Sequence, residues 1–418
     1  MLKRTLGISV AVLAGFGLAQ LANRQHGAPS WWPDRERDKQ VRYFRDVLQM
    51  VKENYVGDAP ADYASLTRAA LDGMVSQLDP HSQFLLADEY AETEDELTNA
   101  FTGIGIQVEQ RDGHIVIVAS IPATPAERAG LRRGDQILKI DGQELVNPTL
   151  DSTIKLVRGE PGSLVSVTVF RPSQNKNFDY SLHRERIQLD SVRLTSVLPG
   201  NVGYLQVTQF SDRTGEEFAK ALATLEHDGI SSLIIDLRNN PGGLLEAAIA
   251  VCNEFFEPGE LIAYTQGRTP DTRENHLARG GHPKRTYPVA ILVNGGTASA
   301  AEIVAGAMRD THRAVIVGEK TFGKGSVQSV IELDNGEGLR LTTARYYTPS
   351  GVTIHEKGIS PQAEIEVNAD DEARLRLQQT RADDGDVEDP RDKPIADVQL
   401  AAAEEILSGV LAVRPDGR

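Results

Sequence analysis

Three short, wholly apolar segments in the second half of the chain constrain its fold most. They are residues 233–235, 289–293 and 315–317, and helical patterns separate them. Such segments are typical of buried parallel strands, because a strand covered by helices on both faces needs no polar side chain. Parallel strands joined by helices end at one edge of a sheet, where ligands bind. The sequence therefore predicts a mixed α/β fold with a functional site at that edge.

A helix is expected next to this sheet after the strand at residues 202–207. Thr214 and Glu217 have the spacing of a capping box, in which each side chain satisfies a backbone amide of the first turn. The sequence thus predicts that Thr214 caps a helix that ends near Gly229.

A smaller module precedes the sheet, between Phe101 and Arg186. Its apolar residues alternate in short segments, and two short helices are expected at residues 125–130 and 150–157. Pro at the start and Gly at the end support the first helix. These patterns predict a small sandwich-like module inserted before the α/β layer.

The N-terminus is expected to direct the chain out of the cytoplasm. Lys3 and Arg4 precede an uncharged, mostly apolar run at residues 6–21. This is the pattern of a secretory signal, and its length also approaches that of a membrane span, about 20 residues. Export is predicted, and both cleavage and retention as a membrane anchor stay open.

Two amphipathic helices should follow this segment. Apolar residues recur at three- and four-residue steps in the first, and the second is expected at residues 63–78, ending before Pro80. The residues on the first apolar face are Val41, Phe44, Leu48, Val51 and Tyr55. Two such helices cannot bury a core alone, so self-association or packing on another domain is expected.

Composition excludes several classes of protein. The 418 residues predict two or three domains, and a formal charge of −16 argues against nucleic-acid binding. Cys252 is the single cysteine, which excludes a disulfide framework, and its apolar surroundings predict a buried structural thiol. From Asn368 onward the chain is acidic and polar, which predicts a flexible linker, and residues 395–413 predict a final helix.

Ser299 is the first candidate for chemistry. The strand at 289–293 ends in small residues, and Ser299 then opens a helix. That arrangement lifts Ser299 to the edge of the sheet, where helix-opening amides supply donors for a developing oxyanion. Serines at such turns also serve as simple helix caps, so this stretch alone leaves both roles open.

Lys324 is the second candidate, because it lies between Gly323 and Gly325 directly after another buried strand. Glycines permit close approach of the backbone, although an exposed loop with a solvated lysine gives the same pattern. A phosphate-binding loop is disfavoured, because Gly325 rather than Ser or Thr follows the lysine.

Residues 239–243 form a third glycine-rich strand end, which a plain turn would also explain. Together the three strand ends hold the parts for acyl transfer. Lysine can serve as the base for a serine hydroxyl if burial lowers its pKa from about 10.4 toward neutrality. Gln328 could orient the neutral amine without favouring its charged form.

The histidines lack metal-ligand spacing, so no metal or cofactor is expected, and His312 is the remaining candidate for a Ser-His-Asp triad.

Six sequence strings in one order resemble the carboxyl-terminal processing proteases, also called tail-specific proteases, over residues 40–368. The strings are LDPHS at 78–82, FTGIG at 101–105, DLRNNPGG at 236–243, GTASAAE at 296–302, TFGKGSVQ at 321–328 and YTPSG at 347–351. The resemblance implies a crotonase-like α/β protease core, an inserted PDZ domain and N-terminal helices, as in PDZ-containing bacterial periplasmic members.

The resemblance also implies roles for single residues. It assigns the nucleophile to Ser299, the general base to Lys324 and the residue that orients the lysine to Gln328. The oxyanion hole falls on the backbone amides of Gly243 and Ala300. Asp310 matches an acidic position for which a structural role is expected.

The implied PDZ domain would hold a peptide's terminal carboxylate through backbone amides of the loop at residues 102–106. The residues of that loop taken as peptide-binding are Gly103, Ile104, Gly105 and Ile106. Arg158 matches an arginine that couples peptide binding to activation in related proteins.

The predicted organisation runs from a signal peptide or anchor to an acidic tail. Its segments are residues 1–24 as signal or anchor, 38–98 as a helical region, 99–187 as a PDZ domain, 188–368 as the protease core and 369–418 as a linker with a final helix. The expected protein is a serine endopeptidase of the cell envelope, periplasmic or otherwise extracytoplasmic. Its expected partners are substrates with free C-termini, further copies of itself and an envelope adaptor protein.

Two other classes of function stay open. A catalytically silent or latent PDZ scaffold, which binds peptides and needs a partner for activation, is the main alternative. An acyl-thioester enzyme of the crotonase type is a weaker one, because its cofactors are cytoplasmic and the chain carries an export signal.

Overall fold

The computed structural model describes residues 35–111, 113–281, 283–382 and 395–413. The run at residues 6–21, interpreted as a signal peptide or membrane anchor, lies outside the described residues. Among the helices that the structure does describe, none has both the length and the apolar character that a membrane span needs.

The chain divides into two compact units, and the first ends at Pro80. Its described part contains two helices, α1 (Arg35–Asn54) and α2 (Tyr63–Ser76). The Asp62 carboxylate caps α2 by accepting a hydrogen bond from the Ser65 amide at 3.0 Å. No residue of α1 is buried, so the apolar face predicted from its sequence is exposed in the monomer.

The second unit contains the remaining elements. In chain order they are β1 (Gln83–Leu85), α3 (Ala87–Thr98), β2 (Ala100–Gly103), β3 (Ile106–Arg111), β4 (His114–Ser120), α4 (Pro125–Ala129), β5 (Gln136–Ile140), β6 (Gln143–Glu144), α5 (Leu150–Val157), β7 (Leu164–Arg171), β8 (Lys176–His183), β9 (Glu185–Gln188), β10 (Val192–Leu198), β11 (Val202–Val207), α6 (Thr214–His227), β12 (Ser232–Asp236), α7 (Leu245–Asn253), β13 (Leu261–Gln266), β14 (Glu274–Leu277), β15 (Val289–Val293), α8 (Ala300–Asp310), β16 (Ala314–Gly318), β17 (Ser326–Glu332), β18 (Gly338–Tyr347), β19 (Ala363–Glu364), α9 (Ala369–Ala382) and α10 (Val398–Val413). Single-turn 3₁₀ helices also lie at Pro172–Gln174 and Pro270–Thr272.

A six-stranded sheet in the order β10-β11-β12-β15-β16-β19 forms the centre of this unit. All neighbours pair in parallel except β10, which is antiparallel to β11. Every residue of β12 and β15 is buried, as the apolar segments predicted. The carboxyl ends of β12, β15 and β16 therefore meet at one edge, which confirms the expected convergence of the three glycine-rich strand ends.

Helices cover both faces of this sheet. On one face, α6, α7 and α8 bury residues such as Phe218, Val251 and Val304 in the largest hydrophobic cluster. On the other face, Ala403 and Leu407 of α10 pack against the sheet. Burial of this apolar surface at about 25 cal/mol per Å² is what holds the layers together.

An antiparallel sheet lies beside the central one, in the order β1-β18-β13-β14 with β17 paired to β18. It was not evident from the sequence pattern. The second unit begins at His81 and includes β1, which pairs with β18, and α3, whereas the predicted N-terminal helical region extends to residue 98.

The module between β2 and β9 has the expected small-sandwich character. β3-β4-β5-β7-β8 form its sheet, with β3 at an edge, and β2 pairs with β9. Helix α5 has the predicted bounds and begins after Thr149, whose hydroxyl accepts a hydrogen bond from the Ser152 amide at 3.2 Å.

Two local predictions were wrong. Thr214 is the first residue of α6 rather than its cap, and its hydroxyl accepts from the Ser211 amide at 2.7 Å, while Glu217 accepts from the Ser191 amide at 2.7 Å. A local contact with Ser211 and a tertiary contact with Ser191 therefore replace the capping box. Residues 369–382, expected as the start of a flexible linker, form helix α9, whose acidic first turn suits a helix N-terminus. Residues 383–394 lie outside the described residues.

Candidate active site

Ser299 lies at the turn between β15 and α8, with φ 55° and ψ −117°. A non-glycine residue in this region of backbone space is strained, and such strain is typical of functional turns. The side chain of Thr297 stabilises the turn by donating to the Leu237 carbonyl at 2.8 Å. Ser299 is only 8% exposed. The turn therefore presents a strained, largely enclosed serine at the sheet edge.

Glu302, in the first turn of α8, connects Ser299 to the loop that carries Lys324. One carboxylate oxygen, Oε2, accepts hydrogen bonds from the Ser299 amide at 2.8 Å and from the Lys324 amide at 2.9 Å. The other, Oε1, accepts from the Gly323 amide at 2.8 Å and from the Thr321 hydroxyl. Sequence reasoning missed this residue, although the Ser299–Glu302 spacing of a capping box pointed to it.

The Glu302 side chain is fully buried. Burial raises the pKa of its carboxyl above the ordinary value, while the donors from Thr321, Ser299, Gly323 and Lys324 oppose the shift. All four carboxylate contacts go to the two loops that approach each other here. Glu302 thus fixes the separation of the Ser299 and Lys324 backbones.

Lys324 is half-buried, and burial lowers the pKa of its amine below the usual range. The nearby Arg340 guanidinium lowers this pKa further, whereas Glu96 opposes the shift. No hydrogen bond or ion pair occupies its Nζ atom within the described ranges. A lysine with these surroundings favours the neutral amine more than a solvated one.

The glycines on both sides of Lys324 are required by close packing. A Cβ atom on Gly325 would lie 2.2 Å from the His355 nitrogen, and one on Gly323 would lie 3.0 Å from the Gly358 nitrogen. Two amides of this loop already bind the Glu302 carboxylate. They are therefore not presented to a nucleotide phosphate, which removes the phosphate-loop interpretation.

Gln328 lies on β17, on the strand that follows Lys324. Its Nε2 donates to the Thr342 hydroxyl at 2.8 Å and to the Ser326 hydroxyl at 3.2 Å. Its Oε1 is buried and has no hydrogen-bond donor among the described residues. Ser82 supports this arrangement, because its hydroxyl accepts from the Thr342 amide at 3.1 Å. Gln328 thus offers one unsatisfied acceptor in a fixed orientation.

The turn at residues 239–243 packs directly against Ser299. A Cβ atom on Gly242 would lie 2.6 Å from the Ser299 Cβ and 2.9 Å from the Ala300 nitrogen. Within the part of the chain that the structure describes, neither the Gly243 nor the Ala300 amide donates a hydrogen bond. Two unused donors therefore lie beside the serine, as an oxyanion site requires.

The loop at residues 102–106, which the resemblance assigns to peptide binding, also has unused donors. Gly103 ends β2 and Ile106 begins β3, and between them the amides of Ile104 and Gly105 make no hydrogen bond to any described residue. Gly105 has φ 83°, and a Cβ atom there would lie 2.3 Å from the Thr124 Cβ. The loop is therefore shaped to present backbone amides next to the free edge of β3.

The remaining predicted residues lie away from this centre. Arg158 is exposed at the C-terminal cap of α5, and its side chain has no partner within the described ranges. His312 is exposed beyond the end of α8, a helix about 16 Å long, so it cannot form a triad with Ser299. Asp310 accepts from the Ser350 amide at 3.3 Å and pairs with Arg309 at 3.0 Å, which ties α8 to the 347–351 turn. The Cys252 thiol is fully buried, as predicted.

Comparison with known proteins gives consistent matches. Residues 201–365 match peptidase family S41, and residues 102–182 match a PDZ domain. The chain is 38% identical over 332 residues to a carboxy-terminal-processing protease from Bartonella bacilliformis, covering 78% of this chain and 75% of that protein. It is 36% identical over 331 residues to the carboxy-terminal processing protease CtpA of Bacillus subtilis, covering 79% and 70%.

A solved structure agrees at the level of the fold. An S41 protease structure from Bacteroides fragilis superimposes with a TM-score of 0.54 at 21% identity, covering 92% of this chain and all of that one. The fold and the matches define a serine-type peptidase that carries a PDZ domain. The chain belongs to peptidase family S41, among the carboxy-terminal processing proteases.

Proposed function

We propose that this protein is an endopeptidase in which Ser299 is the nucleophile, Lys324 the general base and Gln328 the residue that orients the lysine. The observation that carries the proposal is the shared Glu302 oxygen, which accepts from the Ser299 and Lys324 amides at 2.8 and 2.9 Å. A strained serine and an amine of lowered pKa are thereby kept on adjacent loops.

In the proposed reaction, neutral Lys324 takes the proton of the Ser299 hydroxyl while Oγ attacks the scissile carbonyl carbon. The tetrahedral intermediate collapses as the Lys324 ammonium returns its proton to the leaving amine. Water then attacks the acyl-enzyme while Lys324 takes its proton, and the ester bond to Ser299 breaks as the Lys324 ammonium returns that proton to Oγ, which frees Ser299 and the new C-terminus.

Gln328 has a specific part in this scheme. Its unsatisfied Oε1 accepts a hydrogen bond from the neutral Lys324 amine, which leaves the nitrogen lone pair for the serine proton. A carboxylate at this position would instead favour the charged ammonium. The hydrogen bond from Gln328 to Thr342 keeps the amide from rotating.

The Gly243 and Ala300 amides are proposed to bind the oxyanion. Their freedom from internal acceptors supports this role. Loss of one such donor typically lowers turnover by about 10²–10³. Because both donors belong to the backbone, the geometry of the two turns rather than any side chain would determine the rate.

Substrates are proposed to be polypeptides with free C-termini, captured by the PDZ domain. The amides of the loop from Gly103 to Ile106 would hold the terminal carboxylate, and the peptide would add as a strand along the free edge of β3. Arg158, at the end of α5, is proposed to couple peptide capture to activation, which its exposed position permits.

We also propose that the protein acts outside the cytoplasm, in the periplasm or an equivalent compartment of the cell envelope, with residues 1–24 as its signal peptide or membrane anchor. The exposed apolar face of α1 supports self-association. An envelope adaptor protein is the remaining proposed partner.

The test is cleavage of an unfolded protein with an apolar, free C-terminus, followed by intact mass. Wild type is expected to cut it, and Ser299→Ala and Lys324→Ala are expected to lose activity. Lys320→Ala, which changes an exposed lysine of the same loop, is the control and should cut normally. Retained cleavage in Ser299→Ala would refute the nucleophile, and full activity in Lys324→Ala would refute the base.

The burial of Ser299, 8% exposed, favours a second possibility, a latent form that a partner opens or a scaffold that only binds peptides. Cleavage by neither wild type nor variant would support it. Addition of envelope extract would then separate the two, because only a latent enzyme gains Ser299-dependent cleavage.

A further inference from the structure

The helix that follows the S41 domain reaches the loops around Ser299. In α9, Glu372 Oε1 accepts a hydrogen bond from Asn294 Nδ2 at 2.7 Å, and Arg376 Nη2 donates to Asn239 Oδ1 at 2.9 Å. The sequence pattern predicts no function for this segment.

The two loops that carry the proposed oxyanion donors follow β12 and β15; Asn239 lies near the start of the first, and Asn294 is the first residue of the second. Asn294 Oδ1 accepts from the Asn239 amide at 2.8 Å and from the Gly296 amide at 3.1 Å, and its Nδ2 donates to Asn239 Oδ1 at 3.1 Å. Asn239 has φ 57°. The pair therefore links the Gly243 loop to the Ser299 turn at their common base.

A second attachment comes from the segment that leads into α10. Asp397 accepts from Arg238 Nη1 and Nη2 at 2.9 and 2.8 Å, and Gln399 Oε1 lies 3.2 Å from Nη1. Arg238 is buried, pairs with Asp236 as well and directly precedes Asn239. The base of the Gly243 loop is thus held from the C-terminal side at two adjacent residues.

We propose that the C-terminal segment is part of the catalytic apparatus, with Glu372, Arg376 and Asp397 as positioning residues that set the distance between the Gly243 and Ala300 amides. This inference rests on the proposed function, because it assumes that those amides bind the oxyanion. A positioning role predicts a loss of turnover with little loss of stability, whereas a purely structural role predicts that both are lost together.

Arg376 can separate the positioning role from the structural role, because its side chain is exposed. The Arg376 side chain is 61% exposed, and exposed polar contacts contribute little to stability. Turnover, by contrast, is sensitive to small displacements of preorganised donors. Removal of the Arg376 guanidinium should therefore lower turnover while the protein stays folded.

The experiment compares Arg376→Met and Glu372→Ala with wild type in the full chain. Arg374→Met, on the same helix and paired with the exposed Asp371 at 3.5 Å, and Asp370→Ala are matched controls. Four quantities are measured: kcat, KM, the affinity for a peptide aldehyde and the affinity for the product peptide of the same sequence. The aldehyde forms a hemiacetal oxyanion on Ser299, whereas the product peptide does not.

For Arg376→Met we expect kcat and aldehyde affinity to fall together by about tenfold, with KM, product-peptide affinity and Tm near wild type. Glu372→Ala should show the same pattern, and Arg376→Lys should recover part of the lost turnover. In both controls, kcat and aldehyde affinity should stay within about twofold of wild type.

Either of two results would overturn this inference and leave the proposed function intact. One is wild-type kcat in Arg376→Met, and the other is a loss of kcat that is matched by equal losses of product affinity and Tm. Absence of Ser299-dependent cleavage in wild type would instead overturn the proposed function, and the positioning role with it. Ser299→Ala, run alongside, distinguishes these cases.

Discussion

At the scale of single residues, Glu302 is the most informative side chain of the candidate site. It is fully buried, and it accepts four hydrogen bonds from the two loops that carry Ser299 and Lys324. An amide in its place would turn one oxygen into a donor that faces N–H groups, and a buried donor pair without an acceptor costs about 1–3 kcal/mol.

We therefore expect Glu302→Gln to lower cleavage by at least about 10²-fold, because the two loops lose their common acceptor and shift. Intact mass measures the loss of turnover, and urea unfolding measures the loss of stability. Glu356→Gln, an 85% exposed acid on the loop that packs against Gly323, is the control. Wild-type turnover in Glu302→Gln would show that the shared carboxylate does not align the site.

The pH dependence of cleavage should report the Lys324 amine. Burial and the Arg340 charge lower its pKa, and only the neutral amine can accept the serine proton. The neutral fraction grows as pH rises through the pKa, so kcat/KM should increase with pH and level off above the lowered pKa. The plateau should begin below the pH at which a solvated lysine, pKa about 10.4, loses its proton.

Two substitutions should move this profile in opposite directions. Arg340→Gln removes a neighbouring cation, so the rise should shift to higher pH, whereas Glu96→Gln removes the opposing carboxylate, so it should shift to lower pH. Arg340 also donates to the Thr93 hydroxyl at 2.7 Å, and Thr93→Val tests that contact with the charge retained. Shifts of the same sign in both variants would contradict the assignment of Lys324 as the base.

At the scale of elements, a substitution in the PDZ loop tests whether the geometry of this loop determines peptide binding. Gly105→Ala places a Cβ atom 2.3 Å from Thr124, so the loop must move and its free amides lose their alignment. We expect anisotropy titrations to show at least about tenfold weaker binding of an apolar peptide with a free C-terminus. The C-terminally amidated peptide should bind weakly to both proteins.

Gly113→Ala is the matched control for this variant. Gly113 also has a left-handed φ of 79°, but a Cβ atom there has open space around it. Both substitutions carry the backbone cost of about 1–2 kcal/mol, and only Gly105→Ala adds the collision. Equal peptide affinity in the two variants would argue against carboxylate capture by this loop.

The elements also show what the sequence could predict and what it could not. The three buried strands and α5 follow from local apolar patterns and caps, so they lie where expected. Ser299-x-x-Glu302 and Thr214-x-x-Glu217 have the same spacing, yet only in the first does the acid accept from the amide of the leading residue. The difference comes from tertiary partners, which a local pattern does not contain.

The same reason explains the missed C-terminal helix. Its acidic composition resembles that of a linker, whereas Glu372 and Arg376 gain partners in Asn294 and Asn239 only after the sheet has brought those loops together. Candidate positions at the strand ends were thus predictable, but the network that aligns them was not.

At the scale of the whole molecule, the exposed face of α1 predicts association of copies of the chain. Val41, Phe44 and Val51 are 60, 47 and 39% exposed on one side of a helix without buried residues. Contiguous apolar surface of this kind is typical of an interface, and association through it would bury the face that the monomer leaves in water.

Light scattering on a chain that begins at Asp38 tests this prediction. Phe44→Glu should reduce the oligomer to a monomer, because association would bury a carboxylate without a partner. Gln49→Glu adds the same charge on the opposite side of α1 and should leave the oligomer intact. A monomer for the unsubstituted chain, or an oligomer that persists in Phe44→Glu, would exclude this face as the interface. Cleavage measured on the same samples would then show whether association is needed for turnover, since Ser299 and the groups beside it all belong to a single chain.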